Sequence, residues 1–254
     1  MNTPNDKITP VYEPGNGFAK KLDNFWYHHK WKVIVISFIV ITLLVCTVQT
    51  CSRVESDIYI MYAGPYKFGQ TDARNFESAF SAILPDRNGD GRTLAELVDM
   101  YILSDEQITG ELEKMTAQGE APVVNYQMFA SNREAFDQQI LAGDTVICLL
   151  DPHLYNSVFV LDDNGEKQSG FMPLAEVLGY TPEYAVDAYS VRIGDTPMGK
   201  YFTVLQGLDE DTRLCVRQLS SFSFLKGQQR TEKYHAYCLD VFRAIFDFVA
   251  PVSE

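Results

Sequence analysis

The chain has 254 residues, 46% of them hydrophobic, and a formal charge of −13. That is a folding composition, and it excludes a fibrous or wholly disordered chain. Residues 56–254 carry 15 Lys plus Arg against 30 Asp plus Glu, a balance of −15, which repels phosphate backbones and argues against a nucleic-acid partner.

Residues 1–24 include Pro4, Pro10, Pro14, Gly15 and Gly17 and show neither a helical nor a strand period. They are expected to form a disordered cytoplasmic tail. Residues 25–52 read as a juxtamembrane segment and transmembrane helix. The run VIVISFIVITLLVCTV fills 33–48, and no charge occurs from Val33 to Ser52. About 18 residues at ~1.5 Å each span about 27 Å, close to the hydrocarbon thickness of a bilayer. The preceding FWYHHKWK sets aromatic rings beside lysines, as suits the headgroup region. Lys7, Lys20, Lys21, Lys30 and Lys32 lie before the run and Arg53 stands nearly alone after it. The positive-inside bias therefore puts the N-terminus in the cytoplasm and residues 56–254 outside it.

A cleaved signal peptide would need a shorter apolar core and a small-residue cleavage site. A lipoprotein would need a small residue before its cysteine, whereas Val45 precedes Cys46 and Thr50 precedes Cys51. A buried core helix is the bland alternative, and the length and flank oppose it. The expectation is an uncleaved single-pass signal anchor in the cell membrane.

In the outer domain, SDIYIMYAG (56–64) reads as a buried first strand. TDARNFESAFSAIL (71–84) places Phe76, Phe80, Ile83 and Leu84 on one helical face. PDRNGDGR (85–92) is a tight turn. TLAELVDMYIL (93–103) is ambiguous, its Val, Tyr and Ile end favouring a second strand. Residues 104–124 are polar and carry no assignable period. NREAFDQQILAG (132–143) is a helix stopped by Gly143, and DTVICLLD (144–151) is an apolar strand between covering helices. Strand, helix, strand, helix, strand argues an α/β domain with right-handed parallel crossovers. Beyond Asp151 the pattern shortens: MPLAEVLG is a helical piece, SVRIGDTPMGKYF a strand, turn and edge, TRLCVRQL (212–219) a strand. An amphipathic helix over 232–251 closes the domain.

Asp86, Asn88 and Asp90 open like an EF-hand calcium loop, with Gly91 at the sharp turn. The twelfth position, where the bidentate acid belongs, is Leu97, and Glu96 is one place early. Calcium is thus one expectation for this segment, and a plain Gly/Asn/Asp turn the other. Asp151 and His153 stand at the carboxyl end of an α/β strand, where ligands gather, although Asp151 also suits a helix cap. Tyr59, Tyr62 and Tyr66 could line a cleft as stacking groups for a sugar-like ligand, packing within the strand being the competing role for Tyr59 and Tyr62. His153 and His235 lack any local catalytic or metal arrangement. Five cysteines match no zinc spacing, and Cys215 and Cys238 could pair. No GxSxG, HExxH, GxGxxG or GxxxxGK[ST] occurs, so catalysis has no positive case and no cofactor is implied beyond the calcium-like turn.

The stretch NREAFDQQILAGDTVICLLDPHLY resembles one common in bacterial extracytoplasmic solute-binding proteins of the ABC-transporter type. There a helix ending in Ala-Gly-Asp leads into a strand ending in Leu-Asp and a short helix. DIYIMYAG, the LPDRNGDGRT turn, MPLAEVLG and YHAYCLDVFRAIFDFV are similar to other parts of that fold. Those proteins close two lobes on a ligand, whereas this chain reaches its last strand soon after residue 151. The resemblance therefore implies a single three-layer α/β lobe, like one domain of a periplasmic-binding-protein fold. It also implies a membrane-anchored, non-catalytic domain that binds a small solute or a partner protein, such as a membrane transporter. The alternative is a structural subunit that docks a membrane protein complex without a small-molecule ligand.

Overall fold

The apolar run over 56–64 becomes strand β1 (Ile58–Gly64), and in a computed structural model of the chain it lies inside a five-stranded sheet. The structure describes residues 17–51, 55–119, 121, 123–143, 145–161, 167–219 and 228–251. They fall into two units, Met1–Val54 and Glu55–Glu254.

In the first unit, helix α1 (Gly17–Cys51) contains Phe25–Gln49, a segment long and apolar enough to cross a membrane. Many of its apolar side chains are exposed: Phe38, for example, is 70% exposed. In water such a surface would be strongly unfavourable. The helix begins at Gly17, inside the segment expected to be an irregular tail, while residues 1–16 lie outside the described residues.

In the second unit, β1 pairs in parallel with β2 (Ala95–Tyr101) on one side and with β3 (Ile147–Leu150) on the other. Helix α2 (Gln70–Ser81) joins β1 to β2, burying Phe76, Ala79 and Phe80. Helices α3 (Asp105–Ala117) and α4 (Tyr126–Ala142) join β2 to β3. Beyond β3 come α5 (Pro152–Ser157), the two-residue strands β4 (Val160–Leu161) and β5 (Lys167–Gln168), and α6 (Leu174–Leu178). The sheet is completed by β6 (Ser190–Arg192) and β7 (Arg213–Val216), both antiparallel to their neighbours, in the order β2-β1-β3-β7-β6. The sheet is therefore mixed, its expected parallel part being β2, β1 and β3. A 3₁₀ turn (Ile193–Asp195), α7 (Pro197–Tyr201) and α8 (Thr203–Gln206) lie between β6 and β7, and α9 (Gln228–Phe246) closes the domain.

Alternation along β1 feeds two cores. Ile58, Ile60 and Tyr62 join Phe76, Phe80, Val241, Phe242 and Ile245 on one face. Met61 and Ala63 join Phe136, Cys148, Leu154, Tyr155 and Phe171 on the other. Each fully buried Phe or Ile contributes about 1.5–3 kcal/mol of apolar transfer. Cys148, Cys215 and Cys238 are buried and free, so the Cys215–Cys238 pairing left open by the sequence is not made.

Both sheet edges are covered. In a parallel ladder the odd residues of β2 point their backbone groups away from β1. The Ala95 N–H donates to Ser81 Oγ at 2.9 Å and the Leu97 N–H to Glu77 Oε1 at 3.3 Å, while the Tyr101 carbonyl accepts from Asn132 Nδ2 at 2.8 Å. At the opposite edge, Val191 of β6 is bridged by Ala185. Edges closed in this way are poor templates for an added strand.

Candidate functional site

The parallel strands bring Tyr62, Tyr66 and Asp151 together at their carboxyl ends. Asp151 follows β3 and is 5% exposed. Its N–H donates to the Ala63 carbonyl at 2.9 Å, which continues the ladder. Its Oδ1 accepts the His153 N–H at 2.8 Å and so caps α5. Its Oδ2 accepts from Gln107 Nε2 at 2.9 Å. Gln107 is itself fixed by the capping box of α3, where its Oε1 accepts the Ser104 N–H at 2.8 Å.

The Tyr62 ring is fully buried, and its hydroxyl accepts the Tyr66 N–H at 2.8 Å. That side chain folds back over the end of its own strand. A Cβ on Gly64 would lie 2.8 Å from the Tyr62 hydroxyl and 3.3 Å from Asp151 Cβ, so a larger residue there would displace the buried tyrosine. The rings of Tyr62, Tyr66 and Phe68 meet edge to face. Burial pushes the Tyr62 hydroxyl far above its ordinary range. Tyr66 is half-buried and donates to Asp72 Oδ2 at 3.3 Å. Asp99, the register partner of Tyr62, has its carboxyl raised to about 6 by desolvation.

This cluster is internally satisfied. Both Asp151 oxygens are engaged, and Tyr62 presents no face to solvent for a ligand to stack upon. His153 is exposed on α5, and its imidazole has no hydrogen-bond partner among the described residues. His235 Nε2 lies 2.8 Å from the Arg217 carbonyl. Neither histidine meets a nucleophile among the described residues. Burial pushes the Cys148 thiol up to about 12 and the Cys215 thiol well above its usual value, so both stay protonated and unreactive near neutrality.

Asp86, Asn88 and Asp90 come together in one turn. Asp86 Oδ1 accepts the Gly89 N–H at 2.7 Å and its Oδ2 the Gly91 N–H at 2.9 Å, and these donors, Gly91 first, lower its carboxyl. Gly89 and Gly91 have φ of 76° and 78°, a region that favours glycine. Asn88 Oδ1 accepts the Asp90 N–H at 2.9 Å, and Asp90 Oδ1 accepts the Arg92 N–H at 2.8 Å. Glu96, the off-register acid, accepts from Ser56 Oγ at 2.7 Å. The side-chain oxygens thus close the turn on itself, and among the described residues no group of three or more His, Cys, Asp or Glu is placed to hold a metal.

One open feature of the domain lies where the sequence carries no assignable period. Between α3 and the start of α4 lies a groove of about 670 Å³, lined by Thr109, Leu112, Glu113, Thr116, Ala117, Val124 and Tyr126. The five α3 residues repeat at i, i+3, i+4, i+7 and i+8, one helical face. Tyr126 is 63% exposed and the neighbouring Val123 73%. The available signal was the capping box Ser104-x-x-Gln107 followed by that spacing.

No family model matches this sequence, no curated protein matches it, and no solved structure matches its fold.

Proposed function

We propose that the chain is a single-pass, membrane-anchored binding protein, with its N-terminus cytoplasmic and an extracytoplasmic, non-catalytic α/β domain that docks a partner protein. The reading takes that domain as a single three-layer lobe of the solute-binding type. The observation that carries it is the open groove beside α3. A groove of this size falls in the range of binding sites, yet it opens on the surface rather than enclosing a solute. Closed sheet edges disfavour recognition by an added strand, which leaves a helix or peptide laid in the groove as the mode the surface suits. A membrane transporter is one partner of the right location.

Binding of a small solute at the strand ends is the second reading, favoured by the meeting of Tyr66, Asp151 and Gln107 there. Fractionation of cells producing the full chain, followed by protease added outside intact cells, tests the topology. The chain is expected in the membrane pellet, with its domain degraded from outside. Recovery in the aqueous fraction, or a protected domain, refutes the reading. Thermal-shift screening of the detergent-solubilised chain against sugars and short peptides then separates the two readings, because a ligand raises apparent stability by mass action.

A further inference from the structure

We infer that the groove beside α3 receives a basic amphipathic segment of its partner, apolar on one side and rich in Lys or Arg on the other. This deepens the docking reading and rests on it. Charge complementarity is the ground. Helix α3 carries Asp105, Glu106, Glu111 and Glu113 against one cation, Lys114. Lys114 is already paired with Glu111 at 2.8 Å. Glu113 lines the groove, is exposed, and makes no hydrogen bond or ion pair among the described residues. The floor beside it is apolar: Leu112, Ala117, Val124 and the Tyr126 ring.

Helix α3 is also underpacked for its length. Ile108 is its one buried residue, so its outward face has little to lose by covering and apolar area to gain. An occupant must bring apolar anchors for the floor and positive charge for the rim. An acidic or neutral helix would leave Glu113 without a partner in a partly desolvated rim. A second copy of this strongly acidic domain would set like charges against each other.

The test uses the detergent-solubilised full chain and three labelled peptides of equal length and identical apolar pattern, with Lys, Gln or Glu at the polar positions. Fluorescence anisotropy should show binding of the Lys peptide, weakening as salt rises. Glu113→Lys should weaken it about tenfold at low salt, by removing one ion pair and adding one repulsion. Leu112→Asn and, separately, Tyr126→Ser should each weaken it about tenfold or more through lost apolar contact, with circular dichroism unchanged. Equal binding of the Lys and Gln peptides, lost in both apolar variants, overturns the charge inference and leaves docking standing. Binding of no peptide, with self-association in sedimentation that Leu112→Asn abolishes, makes a second copy the occupant and overturns the inference. Binding of no peptide by a chain that also stays monomeric overturns the inference and the docking reading together.

Discussion

Asp57→Ala should be among the most damaging single substitutions in the α/β domain. Asp57 is fully buried. Its Oδ1 accepts the Arg87 N–H at 3.1 Å and its Oδ2 the Leu94 N–H at 2.9 Å, so one carboxylate pins both arms of the 85–92 turn to the start of β1. Hydrogen bonds to a charged acceptor are worth about 1.5–3 kcal/mol each, and alanine would leave two backbone donors without partners. The expected loss is roughly 3–5 kcal/mol, a large share of the 5–15 kcal/mol typical of a domain. Asp57→Asn keeps one acceptor oxygen and should lose about half as much. The damage should reach α9, because the Arg87 guanidinium, which donates through Nε to the Asp57 carbonyl, lies over the Tyr234 and Tyr237 rings. Both tryptophans, Trp26 and Trp31, lie in α1, so tryptophan fluorescence is blind to this event. Urea unfolding should instead be followed by tyrosine near-ultraviolet circular dichroism in detergent. A midpoint equal to that of the parent, with unchanged slope, would refute the assignment of Asp57 as the clasp.

The remaining expectations are narrower. Asp99 carries a folded-state pKa of about 6 against about 3.9 unfolded, so its ionised form is disfavoured in the fold and stability falls as pH rises between those values. Asp99→Asn should therefore raise Tm at pH 7.5 and leave it unchanged below pH 4. Partial exposure keeps the gain small, and a pH-independent difference would contradict the cause. Asp86→Ala should lower Tm by releasing the Gly89 and Gly91 N–H groups. Millimolar calcium should leave the Tm of the parent unchanged, and a calcium-dependent rise that Asp86→Ala abolishes would establish a metal site instead. Arg217 is 8% exposed, and among the described residues its Nε has no partner while Nη1 donates to the Gln139 carbonyl at 3.3 Å. Burial lowers its pKa. Arg217→Met should be neutral or stabilising, as is common when a sparsely bonded buried cation is replaced by an apolar chain, and a loss above about 2 kcal/mol would reverse that view.

The elements legible in the sequence are those held by apolar burial. β1, α2 and β3 show the periods their environments demand: alternation between two cores for β1, a 3.6-residue stripe for α2, and an unbroken apolar run where β3 is covered on both faces. Helix α3 offered only its capping box and a weakly apolar spacing to read, because burial is not what makes it. A capping box fixes its first turn, Gln107 ties that turn to Asp151, and Lys114 and Glu111 pair on its surface, interactions that leave little hydrophobic period to read. β2 was ambiguous for a related reason. It is an edge strand whose outward backbone is satisfied by side chains of α2 and α4, so Glu96 and Asp99 could occupy positions that an interior strand would give to Val or Ile.

The candidate residues divide by what already occupies their oxygens. Asp86 and Asp151 stand where acids suggest chemistry, in a calcium-like turn and at a strand end, yet each accepts at least one backbone N–H within its own fold. From sequence such an acid cannot be told from a ligand-binding one, since capping and ligation select the same short carboxylates near chain reversals. Glu113 inverts the case. It sits in mid-helix, where no motif marks it, and among the described residues its carboxylate has no partner. The acidic residues of the domain thus fall into two physical classes, those directed inward at orphan N–H groups and those, like Glu113, directed outward at solvent. A charge swap should separate them: Asp151→Lys should cost stability whatever is bound, whereas Glu113→Lys should leave unfolding unchanged and alter only what the groove accepts.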